Sequence, residues 1–250
     1  MNARGRPKSL CDRSLPGLLS RATRSVLVWV LWLCCGCGEP GAQPVQLLAA
    51  SSLGELAQSL AAGFEERTGR PVTVRLGSSS TLSRQQLQGV PGDLFLSADK
   101  LWVEALPVLQ QRAWLGNRLA WVCPAGGPSV RPGEALSLAM GAPGVPLGRY
   151  AEAALSAANL PLPERIVRGH HARATLAIVS SGAVDAGVVY ATDAALDSGV
   201  RTVALLDDDP DDPILYVAAL LTADGQDLYD ALQSSWMQEH ASALGFVLLP

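Results

Sequence analysis

Two runs of serine lie where predicted strands meet predicted helices. The first is Ser51-Ser52 and the second is Ser78-Ser79-Ser80. A helix N-terminus presents unpaired N–H groups and a partial positive charge, and a serine hydroxyl adds another donor. Together these groups form an anion site that needs neither Lys nor Arg. Any one of these serines could equally be an N-cap, but two runs at successive junctions favour an anion site.

Three further segments occupy the same kind of junction. Residues 145–150 (VPLGRY) open a predicted helix, and Gly148 permits close approach of the backbone. Residues 169–173 (GHHAR) precede the next helix. Residues 188–193 (VVYATD) end a strand, where the phenol of Tyr190 either donates to an oxyanion or fills the core. These segments extend the possible anion site to a second group of elements.

Strands and helices alternate along the chain, which predicts an α/β fold with parallel sheets. One unit reads strand 43–50, a helix that ends near 68–69, strand 71–76, helix 79–89, strand 93–97 and helix 100–110. A second unit reads strand 135–140, helix 148–158, strand 165–168, helix 172–182, strand 186–190 and strand 200–206. Helices are also predicted at 225–235 and 236–243.

Two apolar strands, 117–123 and 214–221, link the alternating units. A chain that leaves one lobe, builds a second and returns forms two α/β lobes on a two-strand hinge. We therefore predict one lobe from residues 38–122 and 214–250, and the other from residues 123–213. Ligands of such sheets bind at the carboxyl ends of the strands, so both lobes face one cleft.

Composition excludes several classes of protein. Of the 250 residues, 48% are hydrophobic and 17% are charged, which excludes a disordered chain. Residues 1–37 hold six of the 19 basic residues and one of the 23 acidic ones, which leaves a net charge of −9 on residues 38–250. An acidic chain of this kind is not a nucleic-acid binder. Cys123 is the single cysteine after residue 37 and is predicted to be a small buried hydrophobe.

The N-terminus is predicted to be a signal peptide, residues 1–37. A basic region precedes the apolar stretch 26–33, which is too short to span a bilayer comfortably. The small and cysteine residues that follow are typical of a bacterial lipoprotein signal. Cys37, after Gly36, is the predicted site of lipidation, and Cys35 is the poorer alternative. Cleavage with release, or an uncleaved anchor, also places the rest of the chain outside the cytoplasmic membrane.

The order of the motifs resembles that of the molybdate-binding proteins of bacterial ABC importers. The resemblance covers residues 45–247 and is most specific at 78–85, 93–99 and 189–193. Its segments are AASSL, GSSSTLSRQ, PGDLFLSAD, LGNRLAWVCP, VPLGRYAEAAL, GVVYATDAAL and a C-terminal LGF. It implies the type II periplasmic-binding fold, in which neutral hydrogen bonds hold dehydrated molybdate or tungstate in the cleft.

The resemblance assigns roles to five residues. It implies that Ser52 and Ser79 each supply a hydroxyl and a backbone N–H, and that Tyr190 supplies its phenol. Leu147 and Ala172 stand where the family usually has Ala and Val, and each donates its backbone N–H. The larger Leu147 side chain could narrow the site. His170-His171 replaces a pair that is commonly acidic, which would either add a pH-dependent charge or leave two exposed loop histidines.

The resemblance also implies a partner and a place: an ABC permease, reached from the periplasm or the outer face of the cell envelope. We expect a lipid-anchored monomer without a cofactor, without a direct metal-ion ligand and without enzymatic activity. A receptor for sulfate, phosphate or another anion is the first alternative, although the serine motifs offer no carboxylate to accept a phosphate proton. A serine hydrolase is the remote alternative, since the chain has no Gly-x-Ser-x-Gly elbow.

Overall fold

The computed structural model describes residues 43–206 and 212–249. The predicted signal peptide and Cys37 lie outside the described residues, as do residues 207–211 of the acidic run. Among the helices that are described, none is long and apolar enough to cross a membrane.

The first lobe is built on a six-stranded sheet in the order β11-β4-β10-β3-β1-β2. Strand β1 pairs in parallel with β2 and β3, whereas β10 runs antiparallel to β3 and β4. The strands are β1 (Val45–Ala50), β2 (Val72–Gly77), β3 (Leu94–Ser97), β4 (Gln110–Gly116), β10 (Leu215–Leu220) and β11 (Val247–Leu248). The helices are α1 (Gly54–Thr68), α2 (Ser79–Leu87), α3 (Leu101–Glu104), α7 (Gln226–Ala231) and α8 (Ser235–Ala243).

The second lobe is built on a five-stranded sheet in the order β7-β6-β8-β5-β9. Strand β6 pairs in parallel with β7 and β8, and β5 runs antiparallel to β8 and β9. The strands are β5 (Leu119–Pro124), β6 (Ser137–Gly141), β7 (Arg165–Gly169), β8 (Ala186–Tyr190) and β9 (Val200–Leu206). The helices are α4 (Pro146–Ala157), α5 (Ala172–Ser180) and α6 (Ala191–Leu196).

The chain passes between the sheets twice, at residues 117–118 and between β9 and β10. The predicted α/β fold with two lobes is confirmed. The sheets divide the chain at 117–118, because the whole of β5 pairs within the second sheet, whereas the sequence pattern assigned residues 119–122 to the first lobe.

Local sequence explains most of the element boundaries. In α1, the side chains of Leu56, Leu60 and Phe64 recur every four residues, so they share one face and are buried against the sheet. The helix ends at Gly69, whose φ of 71° lies in the left-handed region that glycine adopts at low cost. Cys123 is buried, as predicted, and carries a free thiol.

The prediction of a helix over 100–110 is wrong in its second half. Helix α3 ends at Glu104, and Gln110 begins β4, a strand that the sequence pattern did not indicate. The first four residues of β4 are exposed or half-buried, so they lack the apolar signal of a buried strand. Pairing with β10 on one side and β11 on the other determines this strand.

Candidate functional site

All five residues assigned from the resemblance line one small cavity between the lobes. The cavity is small: its volume open to the centre of a water-sized group is about 10 Å³, so it has room for one small ion rather than for a drug-sized ligand. None of the described lining residues is an Asp, Glu, Lys or Arg. The lining consists of Ala50, Ser51, Ser52, Gly77, Ser78, Ser79, Ala98, Val145, Pro146, Leu147, His171, Ala172 and Tyr190.

Ser52 lies in the 3₁₀ turn Ser51–Leu53, which connects β1 to α1. The backbone amide of Ser52 belongs to the first turn of this helical segment, where amides have no intrahelical acceptor. The Ser52 hydroxyl is buried and accepts a hydrogen bond of 3.0 Å from the phenol of Tyr216 in β10. Ser52 therefore has both its amide hydrogen and its hydroxyl hydrogen available to the cavity.

The three serines of the second run have different roles. Ser78 is the N-cap of α2: its Oγ accepts from the Thr81 amide at 3.2 Å and lies 3.1 Å from Ser80 Oγ. Ser79 is the first residue of α2, so its amide has no intrahelical acceptor. Its Oγ accepts from the Ala98 amide at 2.9 Å, and its hydroxyl hydrogen is left for a ligand. The sequence allowed any of these serines to be the N-cap of α2, and in the structure Ser78 is that residue.

Leu147 and Ala172 present backbone donors at the starts of two helices. Leu147 follows Pro146, which has no N–H, and its amide has no acceptor within α4. Its side chain is buried in the main hydrophobic core, which accommodates its size. Gly148 is required next to it, since a Cβ there would lie 2.1 Å from the Ala142 carbonyl oxygen. Ala172 opens α5 directly after its N-cap, His171.

Tyr190 ends β8, and its phenol is almost fully buried. The phenol oxygen has no hydrogen-bond partner among the described residues, although a buried hydroxyl ordinarily has one. Burial raises the pKa of Tyr190 well above its usual value, so the phenol keeps its proton and acts as a donor. An unpaired O–H group at the wall of the cavity indicates a ligand that accepts hydrogen bonds.

The two histidines differ in role. His170 is exposed, whereas His171 is half-buried and caps α5 by accepting from the Ala174 amide through Nδ1 at 3.0 Å. Burial, and the proximity of His170, lower the pKa of His171 below 6.5. An Nδ1 atom that accepts a hydrogen bond carries no proton, so the neutral imidazole adds no positive charge beside the cavity.

Two arginines of the second lobe form ion pairs with the first lobe at the margins of the cavity. Arg149 Nε donates to Asp99 Oδ2 at 2.7 Å, joining α4 to the loop after β3. Arg173, on α5, pairs with Glu55 of α1. Its Nε also lies 3.0 Å from the buried Asp193, whose pKa burial raises to about 7. Sequence reasoning assigned none of these roles, although four of the residues lie in the quoted motifs.

The fold and the cavity define a two-lobed binding protein whose cleft carries hydrogen-bond donors for a small anion. The model of the bacterial extracellular solute-binding protein family matches residues 45–247. The chain therefore belongs to this family.

Comparison with individual proteins gives homologues with a stated ligand. The chain is 30% identical over 226 residues to the molybdate-binding protein ModA of Haemophilus influenzae, covering 81% of this chain and 89% of the relative. Its fold is similar to that of the periplasmic molybdate-binding protein of Azotobacter vinelandii, with a TM-score of 0.68 and 21% sequence identity. The match covers 82% of this chain and 100% of the Azotobacter chain. Its fold is also similar to that of the sulfate-binding protein SubI of Mycobacterium tuberculosis, with a TM-score of 0.70 and 16% sequence identity. This match covers 81% of this chain and 86% of SubI.

Proposed function

We propose that this protein captures molybdate or tungstate outside the cytoplasmic membrane and delivers the ion to the permease of an ABC importer. The observation that carries the proposal is the cavity itself. Four helix N-termini open into it, at Ser52, Ser79, Leu147 and Ala172, and the buried phenol of Tyr190 completes the set of donors. The homologue named as a molybdate-binding protein supports the choice of ligand.

Neutral donors suit a site that selects a dianion by size. A buried dianion needs several short hydrogen bonds to replace its water shell. Donors fixed on helices fit the larger metal–oxygen tetrahedron, and the smaller sulfate ion leaves some of them unpaired. Each unpaired buried donor costs about 1–3 kcal/mol. Molybdate and tungstate have nearly equal sizes, so we expect similar affinities for the two.

Calorimetric titration of the purified protein with molybdate, tungstate and sulfate tests the proposal. We expect saturable binding of molybdate and tungstate at micromolar concentrations or below, and much weaker binding of sulfate. Absence of saturable molybdate and tungstate binding in this range would refute the proposed ligand.

A receptor for another oxyanion, such as sulfate or phosphate, is the alternative within the same fold. The similarity to a sulfate-binding protein keeps sulfate in consideration, but at 16% identity it concerns the fold alone. Phosphate is disfavoured because no carboxylate is among the described lining residues to accept its proton. Competition of each anion against molybdate distinguishes these ligands.

The proposed location is the periplasm or the outer face of the cell envelope, with a lipid anchor on Cys37. Labelling of cells with a radioactive fatty acid tests the anchor. We expect the label in the natural protein and in Cys35→Ser, and its loss in Cys37→Ser. Loss in Cys35→Ser alone would move the anchor to that residue.

We further propose that the protein acts as a monomer and has no enzymatic activity. Ser79 and Ser52 each accept a hydrogen bond inside the protein, and the Nδ1 atom of His171 caps a helix. No described histidine is hydrogen-bonded to either serine as a general base would be. A fluorophosphonate probe should leave both serines unlabelled, and labelling of either would revive the hydrolase alternative.

A further inference from the structure

A buried chain of hydrogen bonds runs from the crossover between the lobes to Ser52. Asn117 lies at this crossover, between β4 and β5, and is 4% exposed. Its Nδ2 atom donates to Thr192 Oγ1 at 2.9 Å and to the Tyr216 phenol at 3.0 Å. The phenol donates in turn to Ser52 Oγ at 3.0 Å. The crossover, the second lobe and a ligand-binding residue of the first lobe are thereby connected.

A backbone amide fixes the orientation of the Asn117 side chain at the start of this chain. The Arg118 N–H donates to Asn117 Oδ1 at 2.8 Å. Because a backbone amide only donates, the oxygen of the Asn117 side chain must face it, and the nitrogen must face Tyr216 and Thr192. Tyr216 accepts from this nitrogen, and in a separate hydrogen bond its own hydroxyl donates to Ser52 Oγ. Burial raises the pKa of Tyr216, so the phenol retains the hydrogen that it donates.

The consequence is a defined orientation of the Ser52 hydroxyl. Since Tyr216 supplies the hydrogen of their bond, the hydrogen of Ser52 is not consumed within the protein and remains for a ligand. Ser79 is held in the same way, because the Ala98 amide donates to its oxygen at 2.9 Å. Both serines therefore present hydrogens to the cavity.

We propose that Asn117 and Tyr216 are positioning residues that hold Ser52 as a donor, so that the cavity favours fully deprotonated oxyanions over anions that carry a proton. This inference rests on the proposed function. Molybdate and tungstate have no proton at neutral pH and accept from every donor. Hydrogen phosphate carries an O–H group that needs an acceptor, and a serine held as a donor opposes it.

The test compares Tyr216→Phe with the natural protein, using molybdate titration and competition by sulfate and by hydrogen phosphate. The variant loses one oxygen atom and frees the Ser52 hydroxyl to rotate. We expect molybdate affinity to fall by up to about tenfold, the size of one net hydrogen bond, because the Ser52 hydroxyl is no longer held as a donor toward the ligand. Sulfate affinity should fall in parallel, since sulfate is also fully deprotonated. The affinity for hydrogen phosphate should rise several-fold relative to the affinities for molybdate and sulfate.

Tyr229→Phe is the matched control, because Tyr229 is a buried tyrosine on α7 that does not line the cavity. It should leave all three affinities unchanged. Asn117→Ala is the second variant, and it leaves the Tyr216 phenol free to turn away from Ser52. It should shift the ratio of sulfate affinity to hydrogen phosphate affinity in the same direction as Tyr216→Phe. If Tyr216→Phe does not fold, Asn117→Ala tests the positioning role in its place.

The outcomes separate the two proposals. If the natural protein binds neither molybdate nor tungstate, the proposed function fails. If it binds them and Tyr216→Phe changes neither affinity nor the ratio of sulfate to hydrogen phosphate, the positioning role is wrong. A uniform loss for all three anions would also overturn it, because it would show a merely structural role for Tyr216.

Discussion

Replacement of Ser79 by Ala separates the anion-binding role of this serine from its structural role. Ser79 is 1% exposed, and its Oγ accepts from the buried Ala98 amide at 2.9 Å. Ser79 lines the cavity, and its hydroxyl hydrogen is left for a ligand. The substitution therefore removes one hydrogen bond to the ligand and one within the first lobe, and each loss has its own measurement.

The two losses have comparable sizes. A hydrogen bond to a charged group contributes about 1.5–3 kcal/mol, so molybdate affinity should fall roughly 10- to 150-fold. The Ala98 amide is left without its acceptor, which costs about 1–3 kcal/mol of folding stability in the absence of ligand. Calorimetric titration measures the first effect, and chemical denaturation of the ligand-free protein measures the second.

Ser80→Ala is the matched control because Ser80 is buried beside Ser79 but does not line the cavity. We expect it to change stability modestly, through its contact with Ser78, and to leave affinity unchanged. The reasoning is refuted if Ser79→Ala keeps the natural affinity, or if Ser80→Ala loses as much affinity as Ser79→Ala.

Substitutions of Tyr190, Arg149 and His171 probe three other features of the same site. Tyr190→Phe should weaken molybdate binding by about 1–3 kcal/mol in calorimetry without loss of folding stability, because the phenol has no hydrogen-bond partner among the described residues. A loss of folding stability with unchanged molybdate affinity would contradict this prediction. Arg149→Met should break the ion pair with Asp99 across the cleft and increase the radius of gyration in X-ray scattering of the ligand-free protein. Identical scattering curves for the variant and the natural protein would show that this ion pair does not hold the lobes together. Since the pKa of His171 is lowered in the folded state, its contribution to stability is present above pH 6.5 and is lost as pH falls through the lowered pKa. His171→Asn keeps a capping side chain without a titrating group, so its stability relative to the natural protein should rise as pH falls below 6.5, and a pH-independent difference in denaturation would exclude this mechanism.

Much of the fold could be predicted because its signals are local. The spacing of Leu56, Leu60 and Phe64 indicates a helix with one buried face, and Gly69 ends that helix through a backbone conformation that glycine favours. Strand β4 could not be predicted in this way. Its pattern is polar at the start, and its partners β10 and β11 come from the far end of the chain.

The candidate site also has some features that the sequence predicts and others that depend on distant parts of the chain. The family resemblance of the motifs pointed to five residues, and the structure brings all five together around one cavity: Ser52, Ser79, Leu147, Ala172 and Tyr190. Without the resemblance, the serine pattern does not distinguish Ser79 from its neighbours, because all three serines suit a helix N-terminus equally well. The structural distinction depends on the Ala98 amide, which directly follows β3 and donates to Ser79 Oγ.

The sequence by itself determined the family, most of the order of strands and helices, and the residue types at the helix N-termini, because these are properties of short segments. The tertiary structure decided which hydroxyl hydrogens reach the cavity and which charges join the lobes. Asn117, Tyr216 and Ser52 are far apart in the chain, and only the pairing of β10 within the first sheet brings Tyr216 to Ser52. The direction of a hydrogen bond depends on every neighbour of both atoms, and those neighbours are known only after the chain has folded.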